Sequence, residues 1–588
     1  MKELIHYLKE TNRSELKKEI PKEMKKDNIH GLAIALVTKE EIIWMGCFGF
    51  TDEGNSKKID KDTLFSLQST SKTVTALAFQ LAAQKGLVKL DDQLVKYYPD
   101  FKVNSRYGKD QYKKITFKHL LTHSSGLARE ARLGGVFNYD ECSFEEHIKS
   151  INNSWLKFKV GDGFSYCNAG MDLVAYVLEL ITGKAYPVYV QEMLGNPLGI
   201  TFNYDTKEIS KMENSAKGYL GDYKAIPVEP SGYGCGIAHL SIKDQAKLVQ
   251  FLLNLGSVNG KEILMKDYIN QMRTPFGNYN YGLGTEVMDK FGTKFYYHNG
   301  GGYGFISEMY WSPEHDFGIA VFTNQEYNLR FIKELPQRIL ESVFKSKEIS
   351  PDSTSYPYAN SPQKDIKVIL LDRLVGVYSG KEGILKINAN AQGLYIDRGK
   401  AKERLVSHNE LAFSRENTDG LIFELERNEN PKGFKYFSKT YGLAYFNYLG
   451  RITKEQGPNR LEWKKHTGLY LWNWYHTEFA INIVKIVDGH LYYENDRLYE
   501  QSIPNLFFSF LGTPVIFEDE FLYKDNTKVV KLSDPVGYFE TLLNEDPEHR
   551  ALQGWVFDQA IEKLKTLKGE EEAEKISKLK DKFHSSSN

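Results

Sequence analysis

Ser69 and Lys72 stand three residues apart in Ser69-Thr-Ser-Lys72. On a helix, positions i and i+3 share a face with Cβ atoms about 5–6 Å apart. An amine can then sit over a hydroxyl and lower the cost of making it a nucleophile. A serine in the first helical turn also carries an amide without an intrahelical partner, free to donate to an oxyanion. One motif thus offers a nucleophile, an activator and half an oxyanion hole. The bare pattern recurs, as at Ser14, Ser154, Ser361 and Ser577, and alone it equally describes a helix cap. The Ser69 copy follows an extended apolar segment, Thr63-Leu-Phe-Ser-Leu67, and leads the most apolar helix pattern in the chain.

Two further elements carry chemistry. Phe164-Ser-Tyr-Cys-Asn-Ala-Gly170 places Tyr166 and Asn168 two apart, which in an extended loop points both the same way. The phenol can exchange a proton with Ser69 while the amide holds a substrate carbonyl. His298-Asn-Gly-Gly-Gly-Tyr-Gly304 follows a strand pattern. Small side chains leave a strand edge bare, so a substrate can lie alongside as an added strand. Gly301 can offer the second oxyanion amide.

In this order, Ser69-x-x-Lys72, Tyr166-x-Asn168 and His298-x-Gly300 resemble the motifs of the penicillin-recognising serine hydrolases. That superfamily holds class C β-lactamases, D,D-peptidases, D-aminopeptidases and related esterases. Leu87–Asp92, Ile115–Leu127 and Gly161–Tyr166 look like its connecting segments, and the likeness spans residues 25–345. The resemblance implies Ser69 as the acylated nucleophile, with Lys72 and Tyr166 as a proton-handling pair in which either can be the base. It implies that Asn168 orients substrate, that His298 and Gly300 occupy the strand motif, and that the Ser69 and Gly301 amides form the oxyanion hole. Many β-lactamases and D,D-peptidases have Lys-Thr-Gly where this chain has His298-Asn299-Gly300. A largely neutral histidine attracts a substrate carboxylate less than that lysine does. The expected function is therefore cleavage of an amide or ester through an acyl-enzyme, by a D-aminopeptidase-like peptidase or an esterase. The alternatives are a β-lactamase or D,D-carboxypeptidase, and a non-catalytic ligand-binding protein that keeps the fold. The expected partner is a small molecule or a short peptide or ester, with no cofactor and no metal.

The elements that must position these residues are legible in part. Gly31–Val37 and Ile42–Phe48 are apolar runs around a polar turn, read as adjacent antiparallel strands. Residues 1–30 read as a polar helix, ended near Pro21 or running on. Helical spacing marks 69–86, Thr116–His123, Met171–Thr182 and Lys243–Leu255, and Phe295–His298 and Gly318–Thr323 read as strands. The fold class is α+β, a three-layer α/β/α sandwich around an antiparallel sheet, over residues 1–345. A Ser/Pro/Tyr-rich linker follows at 346–364. Short alternating strands then fill 365–460 and 461–535, with Gly376-Val-Tyr378 echoed at Gly468-Leu-Tyr470. These read as two small barrel-like units, or as one larger β domain. They look like the lipocalin-like appendages of D-aminopeptidase-type relatives. Residues 536–588 read as a charged, solvated helical tail. Specificity is expected in the loops Ala128–Cys142 and Tyr219–Gly236.

Composition narrows the classes. The 588 residues carry 76 Lys+Arg against 77 Asp+Glu, so no basic field exists for nucleic acid or an anionic membrane. The four cysteines, Cys47, Cys142, Cys167 and Cys235, form no C-x-x-C pair, and no H-E-x-x-H appears. Cys167 is read as packing, and His119 and His123, on one helical face, as structural hydrogen-bonding groups. The first thirty residues hold no apolar run of a secretory signal, and no stretch approaches a membrane span, so a cytoplasmic protein is expected.

Overall fold

Strand β1 (Gly31–Val37) reads Gly-Leu-Ala-Ile-Ala-Leu-Val, and all seven residues are buried. A strand covered on both faces loses its polar alternation, and that is the case here. The computed structural model describes residues 2–586 apart from 136–141, 222, 226–230, 291–292, 327–329, 346–355, 359–360, 365–370, 381–382, 398–401, 416–418, 427–429, 439–441, 451–459, 475–477, 510–511, 546–549 and 553. Parts of the expected linker and of both expected specificity loops lie outside the described residues.

With β1 go β2 (Ile42–Gly49), β3 (Glu286–Lys290), β4 (Thr293–Gly302), β5 (Phe305–Ser312) and β6 (Phe317–Thr323). They make a six-stranded sheet in the order β2-β1-β6-β5-β4-β3, antiparallel throughout. One face is covered by the helices Lys2–Lys26 and Arg330–Lys345, whose Leu16, Ile20, Leu335 and Ile339 join Leu32, Ile34 and Val321 in one core. On the other face helix Ile242–Leu253 lies so close that a side chain at Gly318 would meet Val249 at 2.3 Å. This is the expected three-layer sandwich.

Several local readings change. The first helix runs through Pro21 to Lys26. An interior proline costs roughly 3 kcal/mol, and burial of Leu16, Ile20 and Met24 in the core offsets it. The pattern at Thr116–His123 yields a helix only over Phe117–Leu121, started by a capping box between Thr116 and His119. The chain then turns through His123, whose φ is +58°. Helix Asn168–Thr182 begins three residues earlier than its apolar spacing indicated, because the Cys167 thiol accepts the Gly170 amide at 3.1 Å.

The contacts divide the chain into two compact units, one of residues 1–100, 113–125 and 160–452, the other of 101–112, 126–159 and 453–588. In the first unit, beyond the sandwich, strands between Gly376 and Gly450 form a nine-stranded sheet. Its two edge strands, Lys402–Arg404 and Val406–Ser407, are separated only by Leu405, so the sheet curls round on itself. In the second unit, eight strands from Gly468 to Leu532 close into a barrel. Each sheet opens with the same device: the Tyr378 hydroxyl donates to Leu374 O at 2.7 Å and the Tyr470 hydroxyl to His466 O at 2.9 Å. The echo in the sequence is thus an echo in structure.

The expected domain boundaries do not coincide with these units. Within the second unit, Asn526 on a barrel turn donates to Glu130 O at 3.0 Å and Ser154 Oγ at 2.7 Å, and Lys157 pairs with Asp525 at 2.6 Å. Residues 126–159 therefore belong with the barrel. The charged tail is not simply solvated either. Helices Pro535–Glu545, Gly554–Lys568 and Glu570–Ser586 bury Phe539, Phe557, Leu564 and Ile576 against Leu469, Ile481 and Ile483 on the barrel wall.

Candidate active site

Ser69 lies in a single 3-10 turn, Gln68–Thr70, that runs directly into helix Ser71–Gln84. Neither Ser69 nor Thr70 caps the helix with its side chain, contrary to the bland reading of this motif. Their hydroxyls are engaged elsewhere. Thr70 Oγ1 is 2.7 Å from Ser307 Oγ, which in turn donates to Leu67 O at 2.6 Å. These bonds tie the turn to β5. Gln68, just before the serine, has φ +49°. A non-glycine residue held there stores backbone strain of order 1–3 kcal/mol and turns the chain sharply.

Ser69 is partly exposed, whereas Lys72 is 0% exposed. Lys72 Nζ donates to Ser69 Oγ at 3.1 Å and to the Cys235 carbonyl at 2.7 Å. The latter carbonyl is itself positioned: Asp172 Oδ1 accepts the amides of Gly234 and Cys235, both at 3.0 Å. Tyr166 presents its ring to Lys72, with Nζ 4.8 Å from the centroid. A cation over an aromatic face is attracted by the ring quadrupole. So the helix-entry serine, the lysine one turn along and the distant tyrosine converge.

Asn168 is the first residue of its helix and is buried, rather than part of an extended loop beside Tyr166. His298 is 0% exposed, and its Nε2 lies 3.0 Å from the Tyr281 hydroxyl. Gly300 explains itself by steric necessity. A Cβ there would fall 2.3 Å from Leu67 O and 2.8 Å from Ser69 N, so only glycine lets β4 pack on the serine turn. Gly301, the next residue, is exposed. Its Cβ would meet Ile306 at 3.0 Å instead, on the opposite face of the strand.

Sequence reasoning passed over three positions that the geometry brings forward: Asp172, Ser307 and Tyr281. His123 packs against Tyr166 with ring centroids 4.5 Å apart and planes tilted by 44°, and its Nε2 lies 3.1 Å from the Tyr281 hydroxyl. Its Nδ1 accepts the Cys167 amide at 3.2 Å. His123 is structural, as expected, and so is Cys167. The available signal was the Gly282 and Gly284 spacing around Leu283. Gly284 packs on Lys72 O, where a Cβ would lie at 2.5 Å, and this fixes Tyr281 beside the helix. Beside Gln68 a small cavity of about 70 Å³ is lined by Ile209, Ile237, His239, Tyr303 and Phe305. Burial holds the His239 imidazole down at about 4.

An antiparallel sheet sandwiched between helix layers, with a serine–lysine pair at a helix entry below a glycine-bearing strand, defines a β-lactamase/transpeptidase-like protein. Residues 16–344 match the family model described as Beta-lactamase, more than half of the chain, and the protein belongs to that family of the serine hydrolase superfamily. It is 26% identical over 404 residues to Beta-lactamase-like protein 2 of Dictyostelium discoideum, covering 64% of this chain and 73% of that one. It is 24% identical over 344 residues to Protein flp of Staphylococcus aureus strain N315, covering 56% of this chain and 67% of the relative. The octameric penicillin-binding protein homologue from Pyrococcus abyssi superposes with a TM-score of 0.51 at 22% identity, covering 74% of this chain and 100% of its own. SurE does so with a TM-score of 0.51 at 18% identity, covering 72% and 96%. Among the described residues no single helix is long and apolar enough to cross a membrane.

Proposed function

We propose that the protein is a serine hydrolase that cleaves an amide or ester through an acyl-enzyme on Ser69, acting as a D-aminopeptidase-like peptidase or an esterase. The observation that carries this reading is the 3.1 Å contact between the Lys72 amine, wholly buried, and a Ser69 hydroxyl that remains partly exposed. Ser69 Oγ attacks the substrate carbonyl carbon while its proton passes to the Lys72–Tyr166 pair. The carbonyl oxygen becomes the oxyanion of a tetrahedral intermediate, held by the Ser69 and Gly301 amides. Collapse expels the amine or alcohol, which takes a proton from the same pair. Water then repeats the attack on the acyl-enzyme, releasing the acid and free Ser69. Each oxyanion donor is worth on the order of 10²–10³ in rate, and proton transfer roughly 10²–10⁴. Asn168 lies at the start of its helix, in position to set the register of the substrate.

A fluorophosphonate probe followed by peptide mass mapping tests the nucleophile. Labelling confined to Ser69 and abolished in Ser69→Ala supports the reading, and turnover surviving in Ser69→Ala refutes it. Screening D-amino acid amides beside short acyl esters then separates peptidase from esterase.

A further inference from the structure

Behind the site lies a line of three fully buried polar rings, His123, Tyr281 and His298, each at 0% exposure. Their hydrogen bonds have a direction, and one backbone group sets it. The Cys167 N–H can only donate, and it points at His123 Nδ1 at 3.2 Å. That nitrogen therefore holds no proton, His123 is neutral, and its proton is on Nε2. From Nε2 the proton is donated to the Tyr281 oxygen at 3.1 Å. The phenol, having accepted from His123, donates its own proton to His298 Nε2 at 3.0 Å. Burial, then the charges of Tyr166 and Glu286, hold that phenol well above its ordinary value, so it keeps the proton it donates. His298 is left with one proton, on Nδ1, donated to the Asn299 carbonyl at 2.7 Å.

We propose that His123 and Tyr281 are positioning residues that lock His298 as its neutral Nδ1–H tautomer, so that the strand facing Ser69 carries no positive charge and the site selects acyl donors without a carboxylate beside the scissile bond. The relay forbids the alternative by simple counting. A proton added at His298 Nε2 would turn the Tyr281 hydroxyl round to donate to His123 Nε2. That nitrogen would have to release its proton, and His123 would need one on Nδ1, where the Cys167 amide already points. One buried donor would then face another, with no acceptor for either. The consequence reaches substrate because His298 shares its strand face with Gly300, two residues on, which packs on the Ser69 amide. The separation along the strand is about 7 Å. The ionisable groups around the relay are Tyr166 and Lys72 on the cleft side and Glu286 on the adjoining β3. The inference rests on the reading of Ser69 as nucleophile only for its effect on substrate choice; the protonation of His298 stands apart from it.

The test has two arms. In the first, the full-length protein with ¹⁵N-labelled histidine is titrated from about pH 8 to about pH 5.5. His298, assigned by His298→Gln, is expected to show the Nδ1–H signature without titrating across the range. In Tyr281→Phe, which removes the donor to Nε2 and leaves the burial in place, the Nε2 resonance is expected to move to that of an acceptor nitrogen without a hydrogen bond. Titration of His298 in the parent overturns the proposal, and so does an unchanged Nε2 resonance in the variant. If Tyr281→Phe does not fold, the parent titration still decides. In the second arm, two aryl esters differing only in an acyl-side carboxylate are compared. The carboxylate-to-neutral ratio of kcat/KM is expected to stay flat in the parent over this range. A ratio that rises in the parent as pH falls, as a charged His298 would make it, overturns the proposal. Absence of fluorophosphonate labelling at Ser69 would sink the nucleophile assignment while leaving the histidine titration readable.

Discussion

Gly300→Ala places a methyl group where the structure has no room for one. The new Cβ would lie 2.3 Å from Leu67 O, 2.7 Å from Ser307 Oγ and 2.8 Å from Ser69 N, all inside the 3.0 Å that real Cβ atoms respect. Two of the three are backbone atoms of the serine turn, which cannot swing aside as a side-chain tip does. The strand and the turn must part by at least 0.7 Å to relieve the worst contact. The turn resists, because Ser307 donates to Leu67 O at 2.6 Å and also holds Thr70. Overpacking of this kind costs about 1–3 kcal/mol in stability. The catalytic cost is larger, since a misplacement near 1 Å of aligned groups is worth about 10²-fold in rate. Gly300→Ala should therefore lower both the rate of Ser69 labelling by a fluorophosphonate and ester turnover by about two orders of magnitude, with a Tm drop of several degrees. Gly301→Ala is the matched comparison, because its Cβ meets only the end of the Ile306 side chain at 3.0 Å. It should label within a few-fold of the parent. Labelling of Gly300→Ala at the parental rate, or a larger loss in Gly301→Ala, would refute the packing argument.

Two other outcomes follow from the same geometry. Asp172→Ala leaves the buried amides of Gly234 and Cys235 without their acceptor, at about 1–3 kcal/mol each. It also frees the carbonyl that holds Lys72. Asp172→Asn keeps an oxygen acceptor and should retain far more activity; equal kinetics for the two variants would remove Asp172 from the account. The His239 imidazole, held by burial at about 4 rather than 6.5, binds fewer protons folded than unfolded between those values. Stability must then fall as pH drops from about 6.5 to about 4, by up to about 3 kcal/mol at the acid end. His239→Gln should flatten the slope of Tm against pH over that interval, and an unchanged slope would assign the acid sensitivity elsewhere.

Much of the site could be read along the chain because its chemistry uses residues at short, fixed spacings. Ser69 and Lys72 are neighbours by helical pitch alone, and the contact between them needs only that a helix starts there. The apolar runs at Gly31–Val37 and Gly318–Thr323 announced strands for the same local reason. What spacing could not give is which distant segments meet. Tyr281 stands between His123 and His298, which are 158 and 17 residues from it, and no periodicity links the three. Asp172 reaches Cys235, and through it Lys72, only because the turn that carries Cys235 packs against both of their helices. Residues 126–159 sort with a barrel more than 300 residues onward because the Asn526 turn finds its acceptors there, at a sequence separation of 396 from Glu130. Residue order dictates local geometry through backbone sterics and pitch; the identity of a hydrogen-bond partner far along the chain is decided by packing, which exists only once the layers have closed.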